Sequence, residues 1–255
     1  MKPLIYTLFF LVVGFGKMFT QGFDWEISPR LPFAIPKFYA GISSNASKNY
    51  LNGSLTLYEN YFSCAKFNIG SGKSNSFGFK AEYWYKPEIA FNASILYQLN
   101  KANFVADGDS FPVQIKGIPK IVKVENELSM NYNCVVVDFG AKYRLASTNF
   151  YAAFNLELGV KLSSQYDLYE QVKSPPEYHF IDNTQRRKLV DGKLSDLTLL
   201  FIIPKISIGY DATIFPGIYA SPNVAVQLPL FNLSREGNLR LFSILLSISF
   251  MRGIW

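Results

Sequence analysis

Two-residue alternation runs through most of this chain and constrains its fold more than any other feature. From 77 to 85, Phe77, Phe79, Ala81, Tyr83 and Tyr85 share one parity, and Gly78, Lys80, Glu82 and Trp84 share the other. Ile89, Phe91, Ala93, Ile95, Tyr97 and Leu99 then oppose Asn92, Ser94, Gln98 and Asn100. Phe150, Ala152, Phe154, Leu156, Leu158, Val160 and Leu162 oppose Asn155, Glu157, Gly159, Lys161 and Ser163. A period of two is the signature of β-strands, and no segment carries a convincing helical stripe.

The spacing predicts eight strands, at about 36–45, 75–86, 88–100, 122–145, 149–163, 198–211, 216–228 and 238–251. Within 122–145 the apolar parity changes. Val124, Leu128, Met130 and Tyr132 are even-numbered, whereas Val137, Phe139, Ala141, Tyr143 and Leu145 are odd. With no turn signal at 134–136, this reads as a β-bulge near Cys134-Val135. The connections alternate between long (46–74, 101–121, 164–197) and short (87, 146–148, 212–215), before a medium one at 229–237. Outer-membrane barrels sort their connections in this way, with tight turns on one side and extended loops on the other. The expected fold is therefore all-β: an eight-stranded antiparallel up-and-down transmembrane β-barrel, a meander.

Composition separates this barrel from a soluble one. Charged residues make up 17% of the 255, against about 25% in average domains, while 49% are hydrophobic and 16% aromatic. Charges fall on the parity opposite the apolar rows: Lys80, Glu82, Asp138, Lys142, Arg144, Glu157, Lys161, Lys205 and Asp211. On a lipid face each would cost roughly 2–4 kcal/mol at the midplane. They are therefore expected to form a paired polar network in the lumen. An eight-stranded interior has room for little beyond its own side chains, so no open pore is expected. Tyr83, Trp84, Tyr85, Tyr97, Tyr143 and Phe150 lie near the short turns, as an interfacial aromatic girdle would.

The N-terminus reads as an export signal over 1–22: a basic start at Lys2, an apolar run from Leu4 to Phe15, and Thr20-Gln21-Gly22 before Phe23. That run is too short to span a bilayer as a helix; an uncleaved anchor is the alternative. Residues 23–35 would form a periplasmic segment and 36–255 the barrel. Cys64 and Cys134 are too few for a disulfide framework and read as unpaired thiols.

The export signal, the eight strands, Gly78-Phe79-Lys80-Ala81-Glu82-Tyr83 after a Gly70-Ser71-Gly72 loop, Tyr219-Ala220-Ser221-Pro222-Asn223 and the aromatic end at Trp255 together resemble small bacterial outer-membrane barrels. The OmpA-type and PorT-like barrel domains are the families in question. The resemblance implies a bacterial outer-membrane location. It also implies outer-membrane lipid and lipopolysaccharide, the barrel-assembly machinery and other envelope proteins as partners. It brings no cofactor. A net charge of +6, spread along the chain, does not imply nucleic acid.

Chemistry-bearing motifs are few: no phosphate loop, metal spacing or nucleophile elbow is present. His179, the only histidine, falls on the longest loop near Ser174, Glu177 and Asp182. Arg186-Arg187-Lys188 on the same loop could meet lipopolysaccharide phosphates, or lie solvated and balanced by Asp182, Asp191 and Asp196. The expected role is structural or interactive, without enzymatic activity. Two alternatives stay open: a lipid-modifying enzyme using His179, and a soluble exported lipocalin-like barrel holding an apolar ligand.

Overall fold

In the computed structural model, strands follow one another around a ring. The structure describes residues 36–59, 62–145, 148–194, 197–215, 217–228, 230, 232–234 and 238–254. The expected export signal, the 23–35 segment, Asp196 and Trp255 lie outside these residues, as does the Cys64 side chain.

The strands are β1 (Phe38–Glu59), β2 (Phe62–Lys86), β3 (Ile89–Ile115), β4 (Ile118–Arg144), β5 (Phe150–Ser174), β6 (Arg186–Lys193), β7 (Leu200–Tyr210), β8 (Ala212–Phe215), β9 (Ile218–Gln227) and β10 (Arg240–Ile254). Eight of them close the ring in the order β1-β2-β3-β4-β5-β7-β9-β10, and β10 pairs back onto β1. β8 continues β7 against β9, in the same register as far as Thr213 and shifted by one residue at Phe215. β6 pairs with the far half of β5. All pairings are antiparallel, so the expected eight-stranded meander is what the chain forms.

Closure requires the strands to tilt. Successive paired residues run Tyr39, Glu82, Asn92, Gly140, Asn155, Lys205, Gln227 and Ser243, and arrive back on β1 at Asn49. One circuit thus climbs from position 39 to position 49, and this stagger sets the width of the interior. Cross-strand pairs of glycine and aromatic line it: Phe104 over Gly70, Phe201 over Gly159 and Tyr151 over Gly209. Each ring occupies the space a Cβ would need, so the small residue makes room for the large one on a tightly curved wall.

Four expectations are corrected. First, the long connections fold mostly as strand. β2 takes up Gly70-Ser71-Gly72, and β3 and β4 run on to a two-residue turn at Lys116-Gly117, where both φ angles are positive (54° and 80°). Positive φ at both positions matches the right-handed twist of the paired strands. Second, 212–215 is strand β8 rather than a turn, and the reversal includes Gly217 at φ 75°. Third, β4 has no parity slip: its even-numbered residues face inward without interruption from Leu128 to Arg144. The irregularity sits on β5, where Asn133 pairs with Ser163 but Cys134 pairs with Lys161, leaving Leu162 as the extra residue. Fourth, Trp84 is buried inside the barrel rather than standing in an outer girdle.

The absence of a slip in β4 has a physical meaning. Between Val135 and Leu145 the odd, outward residues are apolar, and the inward Asp138, Lys142 and Arg144 are polar. Between Val124 and Asn133 the outward residues are Glu125, Glu127, Ser129, Asn131 and Asn133, and the inward Leu128, Met130 and Tyr132 are apolar. The strand keeps its direction and reverses its polarity. Its neighbours do likewise: β3 carries Phe91, Ile95 and Leu99 outward below Lys101 and Asn103, with Asn92 and Ser94 inward below Ala102 and Phe104.

Candidate functional site: a charged layer in the barrel

The interior is stacked in three layers. At the short-turn end Tyr39, Trp84, Ala90, Tyr219 and Met251 pack into an apolar plug. At the other end a larger apolar core gathers Leu51, Phe67, Phe104, Leu128, Met130, Leu168 and Leu241, among others. Between them lies the charged layer.

Alternation places this layer. Lys80 and Glu82 are neighbours on the inner face of β2, and Lys142 and Arg144 hold the same relation on β4. Asp211 sits at the junction of β7 and β8, where its N–H donates to the Asn149 carbonyl. The Lys142 ammonium lies 2.7 Å from Asp211 Oδ1 and 3.2 Å from Glu82 Oε2. The same ammonium is 4.1 Å from the Tyr151 ring centre and 5.2 Å from that of Trp84. Arg144 donates to Asp211 Oδ2 at 3.0 Å and stacks on Trp84. Lys80 pairs with Glu82 at 2.9 Å.

A second knot adjoins the first. Lys205 bridges Asp138 and Glu157, the latter at 2.6 Å. Asn155 donates to both Asp138 and Asn92, and Gln227 donates to Glu157. The eight charged groups in the two knots are four cations (Lys80, Lys142, Arg144, Lys205) and four anions (Glu82, Asp138, Glu157, Asp211). A neutral set suits a buried region between two apolar clusters, because an unmatched buried charge costs several kcal/mol. Two cavities of about 40 and 10 Å³ remain in this part of the interior. They are large enough for a few waters at most.

Eight of the nine expected lumen residues meet in these two knots. Lys161 does not join them. It sits higher, half-buried, and donates to the Leu197 carbonyl at 2.8 Å. Sequence reasoning puts Asn92 and Asn155 on the polar parity but leaves them out of the expected network, as it does Tyr151, Tyr219, Ser221 and Gln227. Their inward parity is the signal that could find them, but selection by charge passes over it.

The basic triplet is not a loop cluster. Arg186, Arg187 and Lys188 open β6, and each meets a carboxylate: Glu127 at 2.9 Å, Glu170 at 2.6 Å and Asp167 at 2.7 Å. Of the expected counter-charges, Asp191 lies 3.5 Å from Lys188. The Asp167 carboxylate holds the Lys188 ammonium above its ordinary value. The triplet is thus neutralised by the strands it lies against. His179 is exposed, and its Nδ1 is 3.2 Å from the Glu177 carbonyl. The nearby carboxylates are engaged elsewhere, Glu177 with Lys120 and Asp182 with Thr184. Cys134 is a free, buried thiol. Among the described residues no group of side chains has the makings of a metal site.

No family model and no curated protein matches this chain. The OmpA-type and PorT-like resemblance therefore gains no family match. Solved structures of similar shape include Neisserial surface protein A, at 10% identity and TM-score 0.36, covering 86% of this chain and 97% of that one. The outer membrane protease OmpT from Escherichia coli is similar at 9% identity and TM-score 0.40, covering 89% and 99%. So is Ail, the attachment invasion locus protein of Yersinia pestis, at 7% identity and TM-score 0.32, covering 84% and 99%. At these values the likeness carries no functional inference.

Proposed function

We propose that this chain is an integral barrel of the bacterial outer membrane, structural or interactive in role, with a sealed lumen and a β-stalk raised above the lipid. The observation that carries this reading is the polarity reversal along β3 and β4. A wall facing lipid must be apolar outside, whereas a wall facing water is apolar inside. A strand that does both, switching partway, is suited to a barrel that leaves the bilayer partway up. The lower, apolar-out part of β4 runs from Val135 to its end at Arg144, close to the length of about 9–11 residues that crosses a bilayer. Among the described residues, closure of the ring leaves no strand of that lower part without a neighbour on either side, as lipid requires. The N-terminal sequence over 1–22, read as an export signal, supports the same location.

Charged groups paired within themselves and walled off by two apolar layers favour a plug over a conduit. The engagement of Glu177 and Asp182 away from His179 favours a role without enzymatic activity. A soluble lipocalin-like barrel would need the apolar face inside along its whole length, and the charged layer opposes that. The test is membrane fractionation with gel migration before and after boiling. The protein is expected in the outer-membrane fraction, with a compact fast form that slows on boiling. Recovery in the soluble fraction without a shift would sink the reading.

A further inference from the structure

We infer that the outward face of β1, β2 and β3 holds one phosphate-bearing lipid, its headgroup on Lys48, Lys73 and Lys101 and its chains in the apolar groove beneath them. The inference rests on the membrane reading above. Register brings the three lysines together: Lys48 pairs with Lys73, and Lys73 pairs with Lys101. All three are exposed on the same face. Side chains directly opposite one another on neighbouring strands stand about 5 Å apart, and like charges there repel. Among the described residues no carboxylate is paired beside them in the register. Three adjacent ammonium groups offer many donors to a single multiply charged oxyanion.

Position supplies the second half of the argument. Four residues lower on the same strands, Ser44, Phe77 and Tyr97 form another cross-strand row. This lies about 13 Å along the strands from the lysines, at roughly 3.3 Å per residue. It borders a groove of about 520 Å³ lined by Ile42, Ser44, Phe77, Phe79, Tyr97 and Phe250, among others. That volume is in the range of ligand sites, about 300–1,000 Å³. The groove opens on the outer wall of the apolar belt, so its occupant comes from the bilayer, and an acyl chain fits its shape and polarity. The Lys48 ammonium points toward Tyr50, 5.5 Å from the ring centre and up the strand, as a lysine does when it reaches for the headgroup layer. On the opposite wall the outward Leu162, Leu200 and Val226 are apolar, and the register row through Asn131 and Gln165 ends on a single lysine, Lys193. The cationic row and the groove thus coincide on one flank.

The test uses the full chain folded in detergent and shown to be compact by its gel shift on boiling. Native mass spectrometry then counts lipids retained from phosphatidic acid or from phosphatidylcholine of identical chains. One phosphatidic acid per barrel is expected, preferred at least tenfold over phosphatidylcholine. Lys48→Gln/Lys73→Gln/Lys101→Gln should abolish the preference, and Ser44→Phe, which fills the groove, should weaken retention of both lipids with the lysines intact. Equal retention of the two lipids by the native chain would overturn the assignment, as would a preference that survives the triple substitution. Complete displacement by millimolar inorganic phosphate, with Ser44→Phe without effect, would also overturn it and point to a free-phosphate site. Absence of the gel shift would instead sink the membrane reading, which separates the two failures.

Discussion

The Lys142 ammonium lies 2.7 Å from the Asp211 carboxylate at the foot of the barrel, and both side chains are almost wholly buried. One comes from β4 and the other from the β7–β8 junction, strands that do not pair with each other. The contact therefore crosses the inner face of β5, which stands between them, and ties strands together that share no backbone ladder. Arg144 and Lys142 both depend on Asp211 for charge balance. Asp211→Ala is expected to destabilise the barrel by about 3–5 kcal/mol, the usual cost of leaving a buried charge without its partner. Denaturant unfolding followed by gel shift measures it. A change within about 1 kcal/mol would show that water or movement relieves the site.

Tyr151 covers Gly209 across the β5–β7 pair. A Cβ at 209 would come 2.5 Å from the ring carbon bearing the hydroxyl and 2.7 Å from Asn223 Cβ. Gly209→Ala must push the ring aside, and overpacking of this kind costs about 1–3 kcal/mol. Tyr151 also faces Lys142 and hydrogen-bonds Ser221. Gly209→Ala combined with Tyr151→Ala should therefore lose less than the two single losses summed, by the same denaturant titration.

Polarity reversal predicts a position-dependent cost for charge. Phe139 is near the middle of the apolar outward stretch of β4, and Asn131 lies on the same face beyond the reversal. Phe139→Arg is expected to cost about 2–4 kcal/mol for folding into lipid vesicles, and Asn131→Arg about 0–1 kcal/mol. Equal costs at the two sites would contradict a bilayer around the lower wall.

At the apex, Lys120 beside the β3–β4 turn pairs with Glu177 at 3.0 Å. The hydrogen bond from Lys120 holds the Glu177 carboxyl below its ordinary value of 4.5. A depressed carboxyl contributes stability above its unfolded pKa and loses it as pH falls through the folded one. The contact should therefore loosen only below about pH 4.5, with the barrel intact. Hydrogen exchange at 116–120 and 175–184, corrected for intrinsic rates, should rise in acid. Glu177→Gln should show the raised exchange at neutral pH.

Much of the lower barrel was legible in the residues. The rows Phe77–Tyr85 and Ile89–Leu99 carry clean alternation, and their pairing follows from the tight turn at 87. The charged row was legible for the same reason, since Lys80, Glu82, Lys142 and Arg144 share the parity opposite the aromatics. The upper barrel was not. Gly70-Ser71-Gly72 has the composition of a loop and becomes strand because β1 and β3 flank it and pair with its backbone. Val124 to Tyr132 reads as the same apolar face as Val137 to Leu145 displaced by one residue, because alternation records a period and carries no sign.

The sequence by itself determined the strands of the bilayer-sized part, their meander order and which side chains share a face, because period two follows from backbone geometry alone. Only the tertiary structure decided which face turns inward at each height, that Trp84 belongs to the plug, that the bulge belongs to Leu162, and that three lysines far apart in the chain stand in one row. Those outcomes depend on register and curvature, which arise when eight strands close on one another and each position acquires neighbours the linear order does not name.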